Sequence, residues 1–367
     1  MNRPIVVIQI IPALNSGGVE RGTVEVANYL AALGHTSVVI SAGGIMLTKL
    51  SAKVEHITLE VGKKSLLSLK LIKSLRQLFI DKKVDIVHAR SRLPAWLAYK
   101  AIVKIKSHKP QFITTVHGLY SVKKYSAIMA KGDRVIAVSN TALQYVIDNY
   151  AKYLKYKPQL IYRGINSDEF PYGYIPKVKW LKAFNQLHPK IMEHKIVLLP
   201  GRLTALKGVK ELKTWLKSTD NSNNAKLVLT ANPENDVYAS KLNQWFSHNN
   251  LAHKVVWIGL QSAMAELYAL ADVVVSPSIR PESFGRTVVE SLAIGTPVVG
   301  YNHGGVGEIL TEIFPQGKVE LGNRQQLSDK INQVLEQSPQ VEDKQPFQLD
   351  NMLSQTLKLY HEVIDAV

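Results

Sequence analysis

Short runs of aliphatic and β-branched residues recur along the first half of the chain, at 5–11, 36–41, 85–88, 111–116, 134–138 and 159–162. Runs this short that are apolar at nearly every position predict strands buried on both faces, as in a parallel sheet. Between them, segments such as 22–33, 66–80 and 95–106 carry apolar residues at helical spacing and predict helices with one buried side. Strand alternating with helix predicts a doubly wound α/β layer. The alternation breaks from 166 to about 193, where Pro171, Gly173, Pro176 and Pro189 stand among aromatics and lysines, and this stretch is expected to be a linker. A second series follows at 196–200, 226–230, 255–258, 273–277 and 297–301, then a polar interval at 338–345 and an amphipathic helix at 349–367. The expected organisation is one Rossmann-like domain over 1–170, a second over 171–348, and a closing helix over 349–367.

A chain of 367 residues is too long for one ordinary core, which agrees with two domains. There are no cysteines, so disulfides, thiolate nucleophiles and thiolate metal sites are excluded. Lysine and arginine exceed aspartate and glutamate by 45 to 29, a formal net charge of +16. Nucleic acid, an anionic membrane surface or small phosphorylated ligands would each suit that excess, but no nucleic-acid-binding signature accompanies it. The amino terminus, MNRPIVVIQIIP, reads as a first buried strand rather than a targeting segment, and no apolar run approaches the length of a membrane span. A cytoplasmic protein is expected, at most held to the inner face of a membrane from outside.

Four segments carry candidate chemistry. Gly17 and Gly18, in Gly-Gly-Val-Glu-Arg-Gly, stand between the first strand and the first helix, where backbone N–H groups can approach an anion or simply make a tight turn. The spacing is not that of a dinucleotide fingerprint, and the second strand ends without an acidic residue. Arg202 and Lys207 lie five positions apart on the glycine-bounded loop Gly-Arg-Leu-Thr-Ala-Leu-Lys-Gly after the strand at 196–200. Two cations on such a loop suit a diphosphate, and a solvated basic loop is the plainer alternative. His117 ends the strand at 111–116, where a structural histidine is the plainer reading, but His88, Arg90 and Arg92 end the strand before it, which favours a polar acceptor pocket at that sheet edge. Finally, residues 281–308 read as loop, helix, strand and loop: PESFGRTVVESLAIGTPVVGYNHGGVGE. Here Glu282 and Glu290 flank Ser283, Phe284 and Gly285 at the start of a helix, whose free N–H groups favour anions, the plainer alternative being that both glutamates are solvent-facing helix charges.

In this order the GGVER loop, His117-Gly118, GRLTALKG, and PESFGRTVVESLAIGTPVVG with HGGVGE resemble the large family 4 of retaining glycosyltransferases. The resemblance runs nearly the full length. HARSRLPAW, TTVHGLYSVKKYSAIM and GDRVIAVS further resemble enzymes of lipopolysaccharide core assembly. The resemblance implies the GT-B fold: two Rossmann-like domains facing across a deep cleft, the first binding the acceptor and the second the nucleotide sugar, with the C-terminal helix crossing back to the N-terminal domain. It implies that Arg202 and Lys207 bind the donor diphosphate, that Glu290 holds the ribose, and that Glu282 with the backbone of Ser283, Phe284 and Gly285 grips the sugar. Gly17 and Gly18 would lie by the diphosphate, and His117 by the sugar hydroxyl or the reacting centre.

The implied reaction moves a hexose-type sugar, with retention, from a nucleotide diphosphate sugar (UDP or GDP) to a lipid-linked or lipopolysaccharide-core saccharide. No metal and no resident cofactor are implied. A sugar-nucleotide epimerase of the same fold and an inactive sugar-nucleotide-binding partner subunit are the alternatives. An anionic membrane surface is a further candidate partner, through Lys63, Lys64, Lys70, Lys73 and Arg76 on one helix, for which an ordinary solvated face is the equal alternative, and Tyr120, Lys123, Lys124, Tyr125 and Lys131 on a loop.

Overall fold

A computed structural model describes residues 3–63, 68–189, 191–218 and 224–366. The chain divides into two compact units, 1–164 together with 349–367, and 165–348. The first is built on strands β1 Val6–Ile10, β2 Thr36–Ser41, β3 Glu55–Thr58, β4 Ile86–Ala89, β5 Gln111–Val116, β6 Arg134–Ala137 and β7 Gln159–Leu160, in the order β3-β2-β1-β4-β5-β6-β7. The second carries β8 Lys195–Leu199, β9 Ala225–Leu229, β10 Val255–Trp257, β11 Val273–Ser276, β12 Val298–Tyr301 and β13 Lys318–Val319, ordered β10-β9-β8-β11-β12-β13. Every neighbouring pair runs parallel. Each unit is therefore a Rossmann-like layer whose order reverses beside its first strand.

Alternate residues of the first sheet serve two cores, as the period of two in a strand requires. Ile8, Ile10, Val87, Ala89 and Phe112 pack with Leu75, Phe79, Ala95 and Ala98 from the helices Ser68–Asp81 and Arg92–Ile102. On the other face Ile5, Val7, Ile86, Ile113 and Ile136 meet Val26 and Leu30 of the helix Gly18–Ala32. The last helix, Leu349–Asp365, completes that face with Met352, Leu353, Leu359, Tyr360 and Val363. Strand starts are closed alike in both units. Asp85 accepts the Val6 N–H at 2.8 Å and Asp272 the Ile196 N–H at 2.7 Å, each from the strand beside the first of its sheet. Asp133 does the same for Phe112, at 2.8 Å.

The structure corrects three expectations. The stretch 166–193 is part of the second unit, not a linker: Phe170 is buried beside Tyr268, and the helix Val178–Leu187 buries Phe184. The boundary moves from 170 to 164, because the Ile165 N–H donates to the Phe347 carbonyl and Ile165 pairs with Gln348. Helices also begin earlier than their apolar stripes, at Gly18 and Arg92. Lys64 and residues 66–67 of the helix expected at 66–80 lie outside the described residues. Among the described residues no helix is long and apolar enough to cross a membrane.

His88 is fully buried in β4, with Nδ1 2.6 Å from the Tyr360 hydroxyl and Nε2 2.6 Å from Thr115 Oγ1. Burial, then the charge on Arg90, pushes its pKa well below the ordinary value, so it is a neutral strut to the last helix rather than part of an acceptor pocket. Tyr360→Phe leaves one side of this buried contact unmade, which costs about 1–3 kcal/mol. Denaturant unfolding of the variant should show that loss, and unchanged stability would mean the polar contact carries no weight.

Candidate active site

In the second unit the loops after β8, β11 and β12 converge. Gly208, at φ 68°, closes the loop after β8, and a Cβ there would run into the Pro277 carbonyl. That close approach, with Ile279 N–H donating to the Leu206 carbonyl at 2.9 Å, brings Lys207 beside the loop after β11. Lys207 Nζ donates to Glu282 Oε1 at 2.8 Å, and Ser278 Oγ donates to the same oxygen at 2.6 Å. His303, after β12, donates from Nε2 to the Ser278 carbonyl at 2.6 Å, which places its ring proton there. Burial pushes the Glu282 carboxyl upward, but Lys207, the Ser278 hydroxyl and His303 outweigh it and hold the pKa below the ordinary range.

The helix of the opening motif starts at Arg286, later than expected from Ser283, and is capped by Gly285 in the left-handed region at φ 106°. Phe284 turns inward and meets the Phe347 ring edge-on at 5.6 Å, which anchors the loop. Gly305 N–H donates to the Glu282 carbonyl at 2.8 Å, and a Cβ at Gly304 or Gly305 would strike the backbone of Glu282 or Phe284. Two helix starts, Arg286–Ile294 and Gly304–Ile313, thus flank the Glu282 loop.

Glu290 is buried at 6% exposure and not a solvent-facing helix charge. Arg286 Nε donates to its Oε1 at 2.6 Å and the Tyr268 hydroxyl to its Oε2 at 3.0 Å. Each carboxylate oxygen has two acceptor positions, so capacity remains for ligand hydroxyls. Arg202 is exposed on the same loop as Lys207.

In the first unit Gly17 and Gly18 are exposed at the start of the helix Gly18–Ala32. His117 lies near them through a residue that sequence reasoning passed over. Arg163, after β7, donates from Nη2 to the Gly18 carbonyl and from Nη1 to His117 Nδ1, the latter at 3.3 Å. The expected pocket of two histidines and two arginines does not form as such. His88 is sealed beneath Tyr360, Arg90 is buried on Gln9 Oε1, and Arg92 lies over the Tyr120 and Tyr125 rings at 4.6 and 5.5 Å.

The aromatic and basic run at 120–131 is also more packed than expected. Lys131 lies over the rings of Trp96, Tyr99 and Tyr153 at 5.3–5.8 Å, and Trp96 Nε1 donates to the Tyr125 carbonyl. Lys123 and Lys124 alone of its cations are exposed. Among the described residues no cluster of three or more His, Asp or Glu forms that could hold a metal ion.

Residues 16–169 match the family model described as Glycosyltransferase Family 4, and 182–347 match Glycosyl transferases group 1. The crystal structure of a glycosyltransferase from Rickettsia africae is similar at 31% identity and a TM-score of 0.84, covering 99% of both chains. The chain belongs to this glycosyltransferase family. An uncharacterized glycosyltransferase of Methanocaldococcus jannaschii is 29% identical over 217 residues, 56% of this chain and 54% of that protein, so the match spans about half of that relative. The HepE protein of Anabaena, crystallised in complex with UDP and glucose, shares the fold at a TM-score of 0.77 and 18% identity, over 98% and 100% of the two chains. This glycosyltransferase thus has the two parallel-sheet Rossmann-like domains of GT-B structures.

The ionised Glu282 contributes stability that is complete above the ordinary carboxyl range and is lost as pH falls through its lowered folded value. In Lys207→Met, burial faces only Ser278 and His303, so the acid loss of stability should begin at higher pH than in the parent. Thermal melting from acid to neutral pH reads this, and an acid limb that stays in place would show that Lys207 does not hold the carboxylate.

Proposed function

We propose that this glycosyltransferase moves a hexose-type sugar from a nucleotide diphosphate sugar, UDP- or GDP-linked, to a lipid-linked or lipopolysaccharide-core saccharide, with retained configuration. The observation that carries the donor class is the cluster of Lys207, Glu282, Ser278 and His303 between two helix starts, with the buried Glu290 one turn into the helix Arg286–Ile294. A lysine already held by a carboxylate is poised to exchange that partner for a phosphate oxygen, and helix N-termini favour the same charge. In this reading Lys207 and Arg202 neutralise the departing diphosphate without a divalent ion, the electrostatic contribution that usually dominates such transfers. Glu290 receives ribose hydroxyls. Glu282, with the backbone of Ser283, Phe284 and Gly285, orients the sugar. Gly17 and Gly18 attend the diphosphate and His117 the sugar or reacting centre, as the family resemblance implies. The nucleotide sugar is a substrate, and no resident cofactor enters.

Retention follows here from a front-face displacement. The bond from the anomeric carbon to the phosphate oxygen breaks as the bond to the acceptor oxygen forms, and the acceptor proton passes to the departing phosphate. No carboxylate stands out as a nucleophile for a two-step route. A sugar trapped covalently on a side chain would replace this route with the two-step one.

The acceptor reading rests on the likeness of residues 88–96, 114–129 and 132–139 to core-assembly enzymes, and on the exposed Lys123 and Lys124 beside Val122, which is 58% exposed. Each lysine near an anionic bilayer adds about 1 kcal/mol of attraction. Reversing Lys123 and Lys124 to glutamate should therefore reduce co-sedimentation with phosphatidylglycerol vesicles, whereas equal binding would remove the membrane from this reading.

For the donor, the sugar nucleotide that most raises the melting temperature among UDP, GDP and ADP sugars is the substrate to assay. With it, Lys207→Ala should lower turnover about 100- to 1,000-fold. Lys63→Ala, which removes a surface cation paired with Glu60 at 3.2 Å, should leave turnover nearly intact. Equal losses in two folded variants would count against the diphosphate assignment.

A further inference from the structure

Arg163 follows the two-residue strand β7 and is only 6% exposed. Its guanidinium turns back onto the glycine loop and the end of β5, joining Gly18 to His117. The chemistry of the two partners decides the direction of the contact. A guanidinium carries five N–H donors, offers no acceptor and does not deprotonate in proteins. The Nδ1 of His117 must therefore accept, and the proton of the neutral ring resides on Nε2.

The surroundings are shaped for this guanidinium. At Gly22, on the helix Gly18–Ala32, a Cβ would collide with Nη2 and Cζ of Arg163. The groups facing the imidazole are Arg163 from the loop after β7, Arg90 from the end of β4 and His88 within β4, while Glu25 of the helix acts on Arg90. Burial first, then the positive charges of Arg163 and Arg90, keep the His117 pKa well below its ordinary value. Arg90 is itself tied to Gln9 Oε1, whose amide donates to the Thr23 carbonyl at 2.9 Å, so this second cation is fixed in place.

We propose that Arg163 is a positioning residue that locks His117 as the neutral Nε2–H tautomer and binds that ring to the glycine loop at Gly18. His117 is then a hydrogen-bond donor toward an oxygen of the substrate and not a proton acceptor, because its only lone pair is engaged by Arg163. This deepens the role given above to His117 and rests on it for the identity of the substrate oxygen. It also agrees with a transfer in which the departing phosphate, rather than a side chain, takes the acceptor proton.

The test is nitrogen NMR of the full chain labelled in histidine and free of donor, with the His117 signals assigned by His117→Gln. The parent should show a single Nε2–H tautomer that stays neutral through physiological pH. In Arg163→Met the tautomers should mix and the titration midpoint should move upward, since a positive neighbour is lost. Arg163→Lys keeps the charge without the fork, and should restore part of the midpoint but not the pure tautomer. Gly22→Ala leaves Arg163 in the chain and crowds its guanidinium, so it should move both readouts the same way, and it carries the test if Arg163→Met does not fold. An Nδ1–H tautomer in the parent, or an unmoved tautomer and midpoint in the folded variants, would overturn the proposal. Because no turnover is read, that result would leave the sugar-transfer reading standing, and failure of every nucleotide sugar to bind would leave the Arg163 lock standing.

Discussion

Two parallel strands cannot be joined by a tight hairpin; the chain must cross over the sheet before it can pair again. That requirement orders both units of this protein. Every crossover returns the chain to the same starting edge, so every loop leaving a strand opens at the opposite edge. The residues with chemistry gather there: Gly17, His117 and Arg163 in the first unit, and Lys207, Glu282 and His303 in the second. At the starting edge, carboxylates such as Asp85 and Asp272 instead close off strand N–H groups. The division between an edge that holds the sheet together and an edge that meets ligands is made by connectivity before any specialised residue is considered.

The alternation of apolar runs revealed nearly all of the central strands, because a strand buried on both faces leaves a dense hydrophobic signature. It missed β3 and β13. The first is Glu-His-Ile-Thr at a half-exposed edge, and the second has two residues, so neither leaves such a signature. The stretch 166–193 misled for the opposite reason. Its prolines and glycine speak for a loop, yet Phe170 and Phe184 find a core that local composition cannot announce.

The candidate site was legible in its charged members and opaque in its partnerships. Glu282, Glu290 and Lys207 stand in patterned segments, but the contact of Lys207 with Glu282 joins residues 75 positions apart and depends on β8 lying next to β11. Arg163 reaches Gly18 across 145 positions, and nothing near it in sequence marks it. Its place after a strand and before a glycine, which His117 shares, does not by itself distinguish it. Conversely, His88, Arg90 and Lys131 look available in sequence and are spoken for in the fold, by Tyr360, by Gln9 and by three aromatic rings.

The last helix has a bearing on how this molecule comes into being. Met352, Leu353, Tyr360 and Val363 help cover a face of the first sheet to which Ile5 and Val7, made before the whole second unit, also belong. During synthesis that face, covered by then only by the helix Gly18–Ala32, stays incomplete while the whole second unit, a contiguous stretch, emerges and can fold as a unit. The unit begun first is thus the one finished last, and a nascent chain halted before residue 349 carries a completed second half behind an unfinished first.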